Sequence, residues 1–231
     1  MHKSLWLQVI AGIQPGPNSL AQFQSNSGIS SADLARRVLR QLATNGVGTQ
    51  QQVQGVNGQS VSYSFSNADR LSASMMAIQG GCDLEHVSAL LTWKDFEGLA
   101  SRALVSSGYR TSTNVRFKKP RMEIDVVGSL NGLAIAVDCK HWKRRNLSAI
   151  RLHCEKQAAR CLRLFDNTGS QVSASNLINS RIFKVLPVIL TLYPQGCKFV
   201  DGVPVVPISQ FRSFVLDIDS LVSDVRFVTA V

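Results

Sequence analysis

The most constraining stretch of this chain is VVGSL-NG-LAIAV, residues 126–137. Two apolar runs separated by Asn131-Gly132 are the pattern of a β-hairpin closed by a two-residue turn, because both central positions of such a turn need a positive φ, which Asn and Gly accept. The turn fixes a register. With Leu130 opposite Leu133, Asp125 falls opposite Asp138 and Glu123 opposite Lys140. Side chains alternate with period two along a strand, so these four project from one face of the sheet. Carboxylates in directly opposed positions repel unless positive charge lies between them. A divalent cation is the natural candidate, with the Lys140 ammonium one pleat away.

Charge is distributed in a way that bears on this pair. The 231-residue chain carries a formal charge of +10, with pI near 9.8, which favours a polyanionic partner. Residues 110–163 hold 13 Lys/Arg against Glu123, Asp125, Asp138 and Glu155, a net of +9, and the remainder of the chain has a net of +1. A basic surface around carboxylates suits phosphodiester hydrolysis, which must attract a polyanion while keeping a metal coordinated. The five cysteines show no C-x-x-C spacing, so neither a disulfide framework nor a zinc ribbon is supported, and a reducing cytoplasmic compartment is expected. LWLQVIAGI, near the start, is broken by Gln8 and followed by Pro15 and Pro17, which does not match a signal peptide, and no apolar run is long enough to span a bilayer. The length allows two modest domains.

Residues 2–13 read as a first helix, 19–24 as a short second, and 31–44 as a third whose buried stripe is Leu34, Ala35, Val38, Leu39 and Leu42. Gly28 turns the chain between the second and third, Gly46 ends the third, and a Gln-rich alternating hairpin over 49–65 is expected around Asn57-Gly58. Three helices followed by a two-stranded wing resemble a winged helix-turn-helix domain over residues 1–66. That resemblance implies DNA in contact with Arg36, Arg37 and Arg40, on the helix side opposite the stripe, and with the wing. The same arginines could be a solvated helix face, and winged helices also serve as protein-binding modules. Residues 67–91 read as two connector helices, broken at Gly80-Gly81 and packed on one domain or both.

Thr92 and Asp95 form a capping-box-like start for a helix with Phe96, Leu99, Ala100, Ala103 and Leu104 on its buried side. Gly108 ends it, and residues 111–117 read as a strand. Lys118, Lys119 and Arg121 precede the hairpin, and Lys143, Arg144 and Arg145 follow it; both runs are expected to steer and clamp a phosphate backbone. A helix over 148–165 follows, with polar Gln157 in its apolar stripe and Lys156 and Arg160 facing phosphate or solvent. A buried Gln needs partners, either in a site or on a strand-edge backbone group. Two apolar strands, 185–193 and 203–207, and a helix over 209–216 complete the chain. His141 and His153 match no common metal-ligand spacing and read as surface or supporting residues.

The spacing Asp125, then Asp138-Cys139-Lys140, within EIDVVG and VDCKHW, resembles the motif of the PD-(D/E)XK nuclease superfamily, most closely the branch of Mrr-type restriction endonucleases and archaeal Holliday-junction-resolvase-like enzymes. Ile124 stands where the superfamily's name puts Pro. The resemblance covers about residues 92–220 and implies a restriction-endonuclease-like α/β domain over 92–231, a mixed central sheet flanked by helices. It implies that Asp125 and Asp138, with the carbonyl of Cys139, hold Mg²⁺ or Mn²⁺, and that Lys140 orients or activates the attacking water. Glu97, on the first core helix, would complete the metal site, or with Asp95 would merely favour the helix N-terminus. Gln157 corresponds to a Gln that reaches the active site in the Mrr-like enzymes. The function implied is a DNA endonuclease of repair or recombination, structure-specific. The alternatives are restriction of foreign or modified DNA, and a DNA-binding protein with a relic nuclease domain. A homodimer would account for double-strand cuts, and any helicase or ATPase motor would be a separate chain.

Overall fold

The computed structural model describes residues 2–55, 58–66, 68–118, 121–140, 142, 147–166 and 182–229. The chain divides into two compact units, residues 1–95 and 96–231.

In the first unit the order is α1 (Lys3–Gly12), β1 (Gly16–Asn18), α2 (Leu20–Ser27), α3 (Ala32–Thr44), β2 (Thr49–Gly55), β3 (Gly58–Phe65), α4 (Asp69–Gln79) and α5 (Leu84–Ala89). Local chemistry sets the helix ends. Ser19 and Gln22 exchange side-chain and backbone bonds in a capping box at the start of α2, and Gly28, at φ +69, closes it in the left-handed region. Ser31 caps α3 by accepting from the Leu34 N–H. The expected stripe of α3 is buried at Ala35, Val38, Leu39 and Leu42, joined by Val9, Ile10, Phe23, Tyr63 and Phe65 in the unit's core. Gly12 lets α1 and α2 approach closely, since a Cβ there would lie 2.8 Å from the Phe23 ring and from Ser27.

One expectation is corrected here. The sheet has three strands, in the order β1-β3-β2, because residues 16–18 pair antiparallel with β3. Asn18 fixes that short strand by donating from Nδ2 to the carbonyls of Gln14 and Gly16, 2.8 Å each. Such a three-residue strand gives no periodicity to read. The helices expected over residues 67–91 form as α4 and α5 and pack against α1, and the Arg70 guanidinium donates to the Ile13 carbonyl just beyond the end of α1. The turn expected at Asn57-Gly58 lies partly outside the described residues.

The second unit contains most of α6 (Trp93–Ser106), then β4 (Arg110–Phe117), β5 (Met122–Leu130), β6 (Leu133–Lys140), α7 (Leu147–Asp166), β7 (Lys184–Thr191), β8 (Phe199–Val200), β9 (Val203–Pro207), α8 (Ile208–Leu216), a 3₁₀ turn over Ile218–Leu221, and β10 (Val228–Thr229). The strands form one mixed sheet in the order β4-β5-β6-β7-β9-β8, with β10 also on β7. β4, β5 and β6 form an antiparallel meander, while β6-β7 and β7-β9 pair in parallel. The parallel step from β6 to β7 is made through α7, as a crossover connection requires. Helix α7 packs on the sheet, bringing Cys161, Leu164 and Phe165 against Val127, Ala136 and Val185. Gly128 admits α6, where an added Cβ would press on Leu104 at 3.1 Å. Pro187 stands inside β7 although it has no N–H to give. It is accommodated because one side of β7 pairs β10 at 184–185 and β9 at 189–191, leaving the interval between them unpaired. No helix among the described residues is long and apolar enough to cross a membrane.

Candidate active site

The hairpin forms as its sequence predicts. Asn131 and Gly132 adopt φ +48 and +83, the doubly left-handed turn that suits the twist of paired strands. Leu130 pairs with Leu133, and the register runs unbroken to Val126 opposite Val137. Asp125 and Asp138 are the next residues beyond that last pair. The Cys139 N–H donates to Asp125 Oδ2 at 2.7 Å, tying the first acid to the strand that carries the second.

Asp138 is 2 % exposed and surrounded by cations. Lys140 Nζ lies 2.8 Å from its Oδ2, as an ion pair outside hydrogen-bonding alignment, and Arg160 Nη1 donates to its Oδ1 at 2.9 Å. Arg160 therefore faces the acid, contrary to the expectation that it would face phosphate or solvent. The reason is spacing along α7. His153, Gln157 and Arg160 stand at i, i+4 and i+7, so they share one side of the helix.

Gln157 is fully buried and bonds a backbone group of the interior strand β6 and a side chain of its own helix. Its Nε2 donates to the Ala136 carbonyl of β6 at 2.9 Å, and its Oε1 accepts from Arg160 at 3.3 Å. It meets Asp138 through Arg160, which makes it a positioning residue rather than a group touching the acids. His153 Nδ1 lies 3.6 Å from Asp138 Oδ2, and its ring meets Trp142 edge-on at 5.4 Å. Burial and then the Lys140 ammonium push the imidazole below its ordinary pKa range, against the opposing pull of Asp138. Arg160 and His153 are the site residues that motif matching misses; the i, i+4, i+7 relation to Gln157 is the signal that could find them.

Glu97 is buried at 4 % exposure on α6, and its charge is felt at Cys139. Burial pushes that thiol well above its usual range, and Asp125, Glu97 and Asp138 push it further, in that order. Asp95 makes the expected capping box instead, accepting from the Thr92 N–H and hydroxyl through Oδ2. Glu123 does not meet Lys140: it pairs with Arg116, its cross-strand neighbour on β4, at 3.1 Å. The β5-β6 ladder ends before it, so β4 supplies the nearest cation.

Among the residues expected to bind DNA, Arg36, Arg37, Arg40, Lys118 and Arg121 are exposed, with Arg36 paired to Asp33 at 3.1 Å. Lys119, Lys143, Arg144 and Arg145, like His141, lie outside the described residues. Asp125 and Asp138 offer carboxylate oxygens, which hard divalent cations take, while the groups placed against them are the Cys139 N–H, Lys140, Arg160 and His153. Among the described residues no three His, Cys, Asp or Glu side chains converge as a ready-made cluster, so two acids and oxygens from elsewhere would have to complete a coordination shell.

The electrostatics yield a stability prediction. Burial, and then the charge of Asp138, lift the Asp125 carboxyl from 3.8 to about 6. The folded chain therefore holds a proton that the unfolded chain has released between these values, and stability falls as pH rises from about 4 to about 6 and stays lowered above. The cost of keeping Asp125 ionised is on the order of 3 kcal/mol. Asp125→Asn retains an acceptor for Cys139 and removes that cost. In EDTA it is expected to melt several degrees above the parent protein at pH 8, with the gap closing at pH 4, by differential scanning fluorimetry. An unchanged or lower melting point at pH 8 would count against the unbalanced charge described here.

Comparison with known proteins gives little beyond this geometry. No protein-family model matches the chain, and no curated protein is detectably similar. Among solved structures, the crystal structure of protein VC1899 from Vibrio cholerae aligns with a TM-score of 0.39 at 11% identity, over 96% of this chain and 51% of that one. This chain thus spans about half the length of that protein.

Proposed function

We propose that the second unit is a metal-dependent DNA endonuclease of the PD-(D/E)XK kind and that the first is a winged-helix module that positions the DNA. The reading rests on one observation: a tight hairpin carries Asp125 and Asp138 to the same strand end, with Lys140 2.8 Å from the second acid. In this reading Asp125, Asp138 and the Cys139 carbonyl would hold Mg²⁺ or Mn²⁺, and Glu97 would join them only on binding, since the three acids do not already converge. The bound ion would supply Lewis acidity and a water of lowered pKa. Lys140 holds the attacking water and stabilises charge developing on the phosphate. Arg160 and Gln157 keep Asp138 oriented, and Lys118 and Arg121 hold the backbone nearby, together with Lys119, Lys143, Arg144 and Arg145. In the first unit, Arg36, Arg37 and Arg40 on α3 and the β2-β3 hairpin make the DNA contacts.

A second reading draws on a specific observation. Both oxygens of Asp138 already face cations, Lys140 and Arg160, which also suits a DNA-binding protein whose nuclease centre is a relic. One experiment separates the two. Single strands, duplexes, flaps, bubbles and four-way junctions are incubated with Mg²⁺ and either the parent protein or Asp138→Ala. Cleavage of at least one substrate by the parent protein alone is expected; identical behaviour of the two proteins across the panel would leave the relic reading standing. The pattern of preferred substrates also distinguishes repair of branched DNA from restriction of foreign duplex.

A further inference from the structure

Next to Asp138, within the second unit, lies a cleft of about 620 Å³ whose walls include Arg116, Lys118, Arg121, Glu123 and Arg160. Its size falls within the roughly 300–1,000 Å³ of ligand-binding clefts. Four cations face a single carboxylate. Lys118 and Arg121 are exposed at the end of β4 and the start of β5, while Arg116 is engaged by Glu123 at 3.1 and 3.5 Å. Arg160 belongs to both places: it lines the cleft, and its Nη1 reaches Asp138 at 2.9 Å.

An array of one sign, spread over β4, the connection from β4 to β5 and α7, is matched by a ligand with repeated negative charge, and guanidinium forks favour the geometry of phosphate oxygens. Arg160 joins the cleft to Asp138, although neither Asp125 nor Asp138 itself lines it. We propose that this cleft seats the phosphodiester backbone of a nucleic-acid strand adjoining the bond to be cut, and that Glu123 occupies Arg116 until a phosphate displaces it. The proposal rests on the nuclease reading for its place in the reaction, but its test does not need cleavage.

The test is binding of a fluorescent oligothymidylate to the full chain in EDTA, read by anisotropy over a salt series. Replacing both cleft arginines (Arg116→Ala with Arg121→Ala) is expected to weaken binding about tenfold or more. The slope of log affinity against log salt should become shallower by about 1.4, or about 0.7 for each single-strand phosphate that is no longer neutralised. Glu123→Gln should act in the opposite direction, tightening binding roughly two- to fivefold by releasing Arg116. Unchanged binding by the double variant, or weaker binding by Glu123→Gln, would overturn the proposal. So would displacement of the oligonucleotide by polyglutamate as readily as by unlabelled DNA, because that would mark a site for acidic peptide. Cleavage in Mg²⁺ is scored separately. A parent protein that cuts, with variants that bind unchanged, refutes the cleft and leaves the nuclease; the expected binding pattern without any cutting refutes the nuclease and supports the cleft.

Discussion

Under the proposed nuclease reading, Lys140→Ala is expected to lower the single-turnover cleavage rate in Mg²⁺ by about 10²- to 10⁴-fold, the range for loss of a positioned proton-transfer or charge-stabilising group. Oligonucleotide affinity in EDTA should change only a few-fold, since the ammonium is held at an acid inside the site, 19% exposed, and not spread along the surface. Lys140→Arg should recover little. A guanidinium is planar, cannot release its proton, and does not reproduce a compact charge on a flexible stem. The rates are best compared at saturating protein, so that weaker binding cannot pass for slower chemistry. A Lys140→Ala protein that cleaves within tenfold of the parent would remove Lys140 from the mechanism.

Arg160→Ala should have the largest effect on stability. Asp138 is 2% exposed, and Arg160 supplies the hydrogen-bonded member of its pair of cations, with its own side chain 23% exposed. Removing one partner of a buried ion pair typically costs about 3–5 kcal/mol, because the remaining charge is left undercompensated. Lys140 still faces the other oxygen, so the lower end, about 3 kcal/mol, is expected. Gln157 Oε1 also loses the donor that Arg160 provided. Urea denaturation should show a lower midpoint with an unchanged slope, while Arg102→Ala, at an exposed position on α6, should stay within about 0.5 kcal/mol of the parent. Equal midpoints for the two variants would mean that Arg160 does not support Asp138.

The hairpin, the capped helices and the apolar strands are legible in the sequence because each is a local pattern. Asn131-Gly132 alone determines which residues face each other, and the 3.6-residue stripe of α3 names its own buried side. What is not legible depends on partners far along the chain. Strand β10 is two residues long and pairs with a strand more than forty residues earlier, so neither its length nor its periodicity marks it. The docking of α4 and α5 on α1 depends on a distant surface that their own sequences do not describe. Arg160 resembles one more surface cation because the acid it serves lies 22 residues away, on a strand whose distance from α7 only the crossover sets. Glu123 finds a different neighbour from the one the turn implies, because the turn geometry carries no information about β4.

One backbone detail bears on how the acids keep their place. In the pairing of β4 with β5, Thr113 meets Val126 and Val115 meets Ile124, and between them Asn114, at φ +54, stands across from Asp125 without a ladder pair. A left-handed residue inside a strand is tolerable for asparagine and poorly tolerated by branched side chains. Here the residues on either side, Thr113 and Val115, are both branched at Cβ. Asn114 is thus the one of the three suited to this bend, and it leaves β4 unpaired at the level of Asp125, the acid that β5 carries.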